Sequence, residues 1–148
     1  MSIYLDASVL VPRFVEEPES ATVDAYFARS PDWVVSDFAA AEVASALSRL
    51  VRMSLLAAAD AYDALGDFEI WRAAASSTAD VHAADIRLAY AYVRRFDLML
   101  RAPDALHLAI ARRLDATLAT LNRRLANAAR DLGIAVAVPS QDNERDAR

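Results

Sequence analysis

Three carboxylates, Asp6, Glu42 and Asp104, fall at points where the hydropathy pattern changes from one kind of element to another. Asp6 closes the apolar run Ile3-Tyr4-Leu5, and the hydroxyl of Ser8 follows two residues later. If that run is the central strand of a parallel sheet, Asp6 lies at its carboxyl end, where open α/β sheets place their ligands. Glu42 stands in the second turn of a helical stretch that starts at Asp37, from which it can point back over the sheet toward Asp6. A Glu placed only for the positive end of that helix explains the position equally well. Asp104 follows Pro103, whose fixed φ suits the first helical position, so it is either a helix-start acid or a ligand aimed from that end.

Gathered at one edge of a sheet without a counter-charge, such acids raise one another's pKa. A hard divalent cation removes that cost, and Mg²⁺ or Mn²⁺ prefers oxygen ligands and retains several waters. The chemistry available is activation of a water and stabilisation of charge on a phosphodiester during in-line displacement. Zinc is disfavoured, because there is no Cys and the two histidines, His82 and His107, are far apart in the chain. His107 shares the face of Asp104 three residues on and reads as a packed or solvent-touching histidine; His82 reads as structural. Paired carboxylates would also serve a glycosidase.

Composition narrows the choice. All 16 basic residues are Arg, which excludes a Walker lysine and a Schiff-base lysine. Only Gly66 and Gly133 occur, so Gly-rich phosphate cradles and a G-x-S-x-G elbow are excluded as well. The net charge of -5 hides an asymmetry: residues 1–85 carry 5 Arg against 14 acids, and residues 86–130 carry 9 Arg against 3 acids. An Arg-only basic half suits bidentate phosphate binding and favours a phosphate substrate over a sugar, although solvated helix faces would account for the same composition. With 148 residues, 56% hydrophobic and 25% charged, the chain is expected to fold as one domain. Its apolar runs are far shorter than the roughly 20 residues of a membrane span, so no membrane association and a cytoplasmic location are expected.

The elements that must position the acids follow from periodicity and punctuation. A short helix over residues 9–15 and a second over 19–29, with Val23, Tyr26 and Phe27 on one face, precede the β-rich run Trp33-Val34-Val35. That strand stops at Ser36-Asp37 and feeds a helix over 37–53 with Phe38, Val43, Leu47, Leu50 and Val51 as core candidates. Strand, helix and strand in this order make a parallel crossover unit and an α/β fold. Ser54 is expected to cap a helix over 55–73 whose stripe Tyr62, Leu65, Phe68 and Trp71 is core or partner surface. A weak strand is expected over 79–82, a helix over 85–96, a buried strand over 116–121 ending at Asn122, and a helix over 123–132 stopped by Gly133. The last strand is expected over 134–138, which gives a domain over 1–138 and a polar, disordered tail over 139–148.

At these residues the sequence resembles a PIN-domain ribonuclease, specifically the VapC-type toxins of bacterial toxin-antitoxin pairs. The matching pieces are Tyr4-Leu5-Asp6-Ala7-Ser8, Glu42 in the helix after the second strand, Arg101-Ala102-Pro103-Asp104-Ala105-Leu106-His107, and Leu118-Ala119-Thr120-Leu121-Asn122-Arg123-Arg124-Leu125-Ala126. The resemblance implies a three-layer α/β/α sandwich with a central parallel sheet, Mg²⁺- or Mn²⁺-dependent endoribonuclease activity, homodimerisation and inhibition by a cognate antitoxin. It assigns Asp6, Glu42 and Asp104 to the metal site and Ser8 to the hydroxyl beside the first acid. Asn122 stands where the family usually carries a fourth acid; its carbonyl oxygen can still accept from a metal-bound water, and the lost charge implies weaker binding of a second ion, or a one-ion site. An inactive module that only binds RNA or a protein partner, and a metal phosphohydrolase with a small substrate, are the alternatives. The residues around Tyr26, Phe27, Tyr62, Phe68 and Trp71 are expected to offer a partner surface.

Overall fold

The computed structural model describes residues 1–29 and 31–139. Five strands, β1 (Ser2–Leu5), β2 (Asp32–Ser36), β3 (Ser76–Ala79), β4 (Thr117–Ala119) and β5 (Val136–Ala137), form one sheet in the order β3-β2-β1-β4-β5. Every pairing is parallel, and β1 is central, with Ile3 opposite Trp33 on one side and Thr117 on the other. This explains why β1 reads as a continuous apolar run: a parallel sheet covered on both faces buries every side chain.

Because side chains alternate across a strand, β1 divides its residues between two cores. Ile3 and Leu5 join Val35 and the helices α1 (Ala7–Phe14), α2 (Ser20–Phe27), α3 (Asp37–Arg52) and α4 (Ala58–Ala75). Tyr4 joins Leu118 and the helices α5 (Ala83–Val93), α6 (Ala102–Leu114) and α7 (Arg123–Asp131) on the opposite face. The result is the expected three-layer α/β/α sandwich. Ser36 caps α3 by accepting from the Ala39 N–H at 3.0 Å, and Gly133, at φ 70°, ends the turn after α7 as its type and place indicate.

Three local expectations are corrected. Ser54 does not start a helix. It has φ 57°, and the Leu55 N–H reaches back to the Leu50 carbonyl at 2.9 Å, so Ser54 terminates α3 in a Schellman-type turn and α4 begins only at Ala58. The third strand lies at Ser76–Ala79 rather than 79–82; Ser77 and Thr78 are exposed, so this edge strand carries no apolar run to reveal it. The aromatic residues expected at a partner surface are mostly interior: Tyr26, Phe27 and Phe68 are buried, Phe27 packs against Trp33 and Trp71, and only Tyr62 of the group is well exposed. Of the tail expected over 139–148, Pro139 is described and is buried, and the rest lies outside the described residues. Among the described residues, no helix is long and apolar enough to cross a membrane.

Candidate active site

Asp6 is the first residue beyond β1, and its backbone N–H extends the β1–β4 ladder to the Ala119 carbonyl at 3.3 Å. Its side chain caps α1, accepting at Oδ1 from the Val9 N–H at 3.3 Å. Ser8 donates its hydroxyl to the same Oδ1 at 2.6 Å, and Thr120, just past β4, donates to Oδ2 at 2.6 Å. Both hydroxyls are themselves fixed: Ser8 Oγ accepts from the Leu121 N–H at 2.9 Å, and Thr120 Oγ1 accepts from the Asn122 N–H at 3.0 Å. Asp6 is 4% exposed. Burial pushes its carboxyl above the usual range, opposed by nearby His107 and by the two hydroxyls, which favour the ionised form.

Glu42 is half-buried on α3 and bonds through Oε1 to Nε2 of His107 on α6. The other ring nitrogen, Nδ1, lies 2.7 Å from Tyr4 Oη, which lies 2.8 Å from Ser36 Oγ. His107 is buried, with the Phe38 ring centroid 5.1 Å from its own. Asp104 is half-buried in the first turn of α6, and its carboxylate has no ion-pair or hydrogen-bond partner among the described residues.

The topology thus brings Asp6, Glu42 and Asp104 to the carboxyl edge of the sheet. Among the described residues, however, no three His, Cys, Asp or Glu side chains are grouped closely enough to form a ready metal cage. The donor chemistry still fits a hard cation: carboxylate and hydroxyl oxygens, with a buried acid that no guanidinium among the described residues pairs with. Asn122 makes no side-chain hydrogen bond to the acids among the described residues. Its Oδ1 accepts from the Arg124 and Leu125 N–H groups at 3.1 and 3.2 Å, so it caps α7 and meets the site only through its backbone. Asp115 ends α6 ahead of β4, at the opposite end of the sheet.

Three contacts were not foreseen from the sequence. Thr120 follows a buried strand that pairs with β1, a signal that its hydroxyl faces Asp6. Tyr4 is an aromatic with a hydroxyl inside an apolar strand, which calls for a buried partner. His107 is that partner, and its spacing from Asp104 was visible but its reach to Glu42 was not. Elsewhere Arg113, one of the candidate phosphate-binding residues, is committed to structure: it grips the buried Asp85 through Nε at 2.8 Å and a terminal nitrogen at 3.0 Å, and also bonds the Asp80 carbonyl at 2.7 Å.

A model of the PIN domain matches residues 3–131, and the chain belongs to that family. No curated protein matches it. Among solved structures of similar fold is VapC20 of Mycobacterium tuberculosis, described as a sarcin-ricin loop cleaving toxin: 18% identical, covering 85% of this chain and 94% of that one, with a TM-score of 0.68. FitAcB of Neisseria gonorrhoeae is 21% identical over 94% of this chain and 99% of that one, with a TM-score of 0.70. VapBC2 of Rickettsia felis, bound to a DNA fragment from its promoter, is 15% identical over 93% and 98%, with a TM-score of 0.67.

Proposed function

We propose that this PIN-domain chain is a metal-dependent endoribonuclease and the toxin of a toxin-antitoxin pair. The observation that carries the reading is Asp6: a buried carboxylate at the carboxyl end of the central strand, its two oxygens presented by hydroxyls from opposite ends of the chain. Desolvation works against the ionised form of such an acid, and a buried carboxylate held in this way at a sheet edge is a candidate functional group.

Asp6, Glu42 and Asp104 are the residues that would hold Mg²⁺ or Mn²⁺, which would supply a more acidic attacking water and neutralise charge on the phosphodiester. Ser8 and Thr120 keep Asp6 oriented and favour its ionised form against the effect of burial. Arg101, Arg123 and Arg124, exposed at the starts of α6 and α7, add positive charge on the same side, where a phosphate backbone would lie. The similar folds include a toxin and toxin-antitoxin assemblies, which supports an antitoxin partner; a homodimer and a cytoplasmic place of action belong to the same proposal.

The test is cleavage of a mixed RNA pool by the purified chain with Mg²⁺ or Mn²⁺ and with chelator, beside Asp6→Asn. Cleavage that needs both the cation and Asp6 is the expected result; full activity in Asp6→Asn would sink the reading. The second reading, a binding module without catalysis, is favoured by the capping role of Asn122 and by acids that do not form a ready cage. Its signature is a folded wild-type protein that binds RNA or a partner and cuts nothing.

A further inference from the structure

The two deeper carboxylates of the site are held in different ways. Asp6 is fixed by hydroxyls of its own strand ends, whereas Glu42 stands on a neighbouring helix with part of its side chain open to water. A Glu side chain has three torsions and, left alone in such a place, spends much of its time away from any one position. What reaches it is His107 Nε2. An ionised carboxylate only accepts hydrogen bonds, so Nε2 must carry the hydrogen and Nδ1 is the atom left to face Tyr4.

Behind His107 the chain of contacts is closed to solvent. Tyr4 and Ser36 have no exposure and His107 has 3%. Tyr4 presents its phenolic hydroxyl to both neighbours, 2.8 Å from Ser36 Oγ and 2.7 Å from His107 Nδ1. Its single hydroxyl therefore has one donor and free lone pairs to share between Ser36 Oγ and His107 Nδ1. Ser36 is anchored in turn by the Ala39 N–H at the start of α3, the helix that carries Glu42. The path leaves α3 at its cap, crosses β1, enters α6 and returns to α3 in its second turn. Such a closed loop fixes the imidazole plane and gives Glu42 one preferred direction, with Oε2 left for a ligand.

We propose that His107, locked by Tyr4, is the positioning residue of Glu42 and acts on cation affinity only through that carboxylate. The proposal rests on the metal-site reading above and adds two residues to it. It separates the two nitrogens of His107 by role. His107→Gln places an amide nitrogen near the position of Nε2 and keeps the donor to Glu42. His107→Asn places one near Nδ1, keeping the partner of Tyr4 and losing Glu42.

The experiment is Mn²⁺ titration calorimetry, with melting curves, on wild type, Asp6→Asn, His107→Gln, His107→Asn and Tyr4→Phe. Removal of a group that orients a ligand typically weakens metal binding by about 10- to 100-fold. His107→Asn is expected to show that loss, His107→Gln to stay within about 3-fold of wild type, and Tyr4→Phe to lose roughly 3- to 10-fold. In a Glu42→Ala background, His107→Asn is expected to add less than about 2-fold, as for a residue with no route except through Glu42. Equal losses in the Gln and Asn variants, or a full further loss in the Glu42→Ala background, would overturn the positioning role. So would wild-type affinity in His107→Asn, and if that variant does not fold, wild-type affinity in Tyr4→Phe decides the same way. Asp6→Asn distinguishes the levels: if it alone abolishes binding, the metal site stands and only the inference falls. Undiminished binding in Asp6→Asn, or no Mn²⁺ binding by the wild type, overturns the site and the inference together.

Discussion

Thr120 Oγ1 donates to Asp6 Oδ2 at 2.6 Å, joining the end of β4 to the end of β1 across 114 residues of sequence. Ser8 serves the other oxygen at the same distance, so the acid is bracketed rather than merely near polar groups. Hydrogen bonds to an ionised group are roughly twice as strong as neutral ones, and they offset part of what burial costs Asp6.

Thr120→Val keeps the shape of the side chain and removes the donor. Its expected effect is a fall in Mn²⁺ affinity of about 10- to 100-fold with the fold retained, read by calorimetry and circular dichroism. Wild-type affinity in this variant would show that Thr120 only fills space.

Asn122 gives two different outcomes with two substitutions. Asn122→Ala removes the cap of α7 and is expected to cost about 1 kcal/mol in chemical denaturation. Asn122→Asp keeps an equally good cap and restores a negative charge beside the site, so stability should hold while Mn²⁺ binding tightens. Unchanged affinity by calorimetry would contradict the idea that a fourth charge is what this site lacks.

The Asp85–Arg113 pair sets an acid limit on stability. Burial alone would raise the Asp85 carboxyl, but the bonds from Arg113 and from the His82 N–H outweigh it and hold the carboxyl below its ordinary value. A lowered folded pKa means that the contribution is complete above the unfolded value near ~3.9 and is lost as pH falls through the folded one. Asp85→Asn should therefore destabilise the protein by about 2 kcal/mol at neutral pH and flatten its stability curve below about pH 4. A variant that loses stability below about pH 4 as steeply as wild type would assign that loss to other acids.

Ser54 offers a gain. It occupies a left-handed conformation at φ 57°, which a side chain resists and glycine does not. Ser54→Gly is expected to raise stability by about 0.5–1 kcal/mol with no change in metal binding. A lower melting temperature would mean that the hydroxyl makes a compensating contact.

Much of the frame is legible because its signals are local. The apolar run before Asp6, the Ser36-Asp37 helix start, Pro103 at the head of α6 and Gly133 after α7 each act on neighbouring backbone, and each stands where its chemistry puts it. Ser54 misleads for the same local reason: serine suits a helix start, and only the geometry of the turn shows it ending one. β3 escapes because an exposed edge strand needs partners rather than apolar residues. The site divides along the same line. The acids announce themselves by their positions at element boundaries, whereas Thr120 on Asp6, and His107 between Tyr4 and Glu42, are products of strand order, which no short-range pattern encodes.

The placing of β1 between β2 and β4 has a further consequence for a chain made from its N-terminus. The central strand is made before the other strands of the sheet, yet one of its two neighbours, β4, follows only after most of the domain has been translated. Until then Asp6 has Ser8 but not Thr120, and Glu42 has no His107. A nascent or prematurely terminated chain accordingly carries the acids without the groups that orient them. The groups that orient Asp6 and Glu42 are therefore in place only once the segment from α6 to the end of β4 has been made.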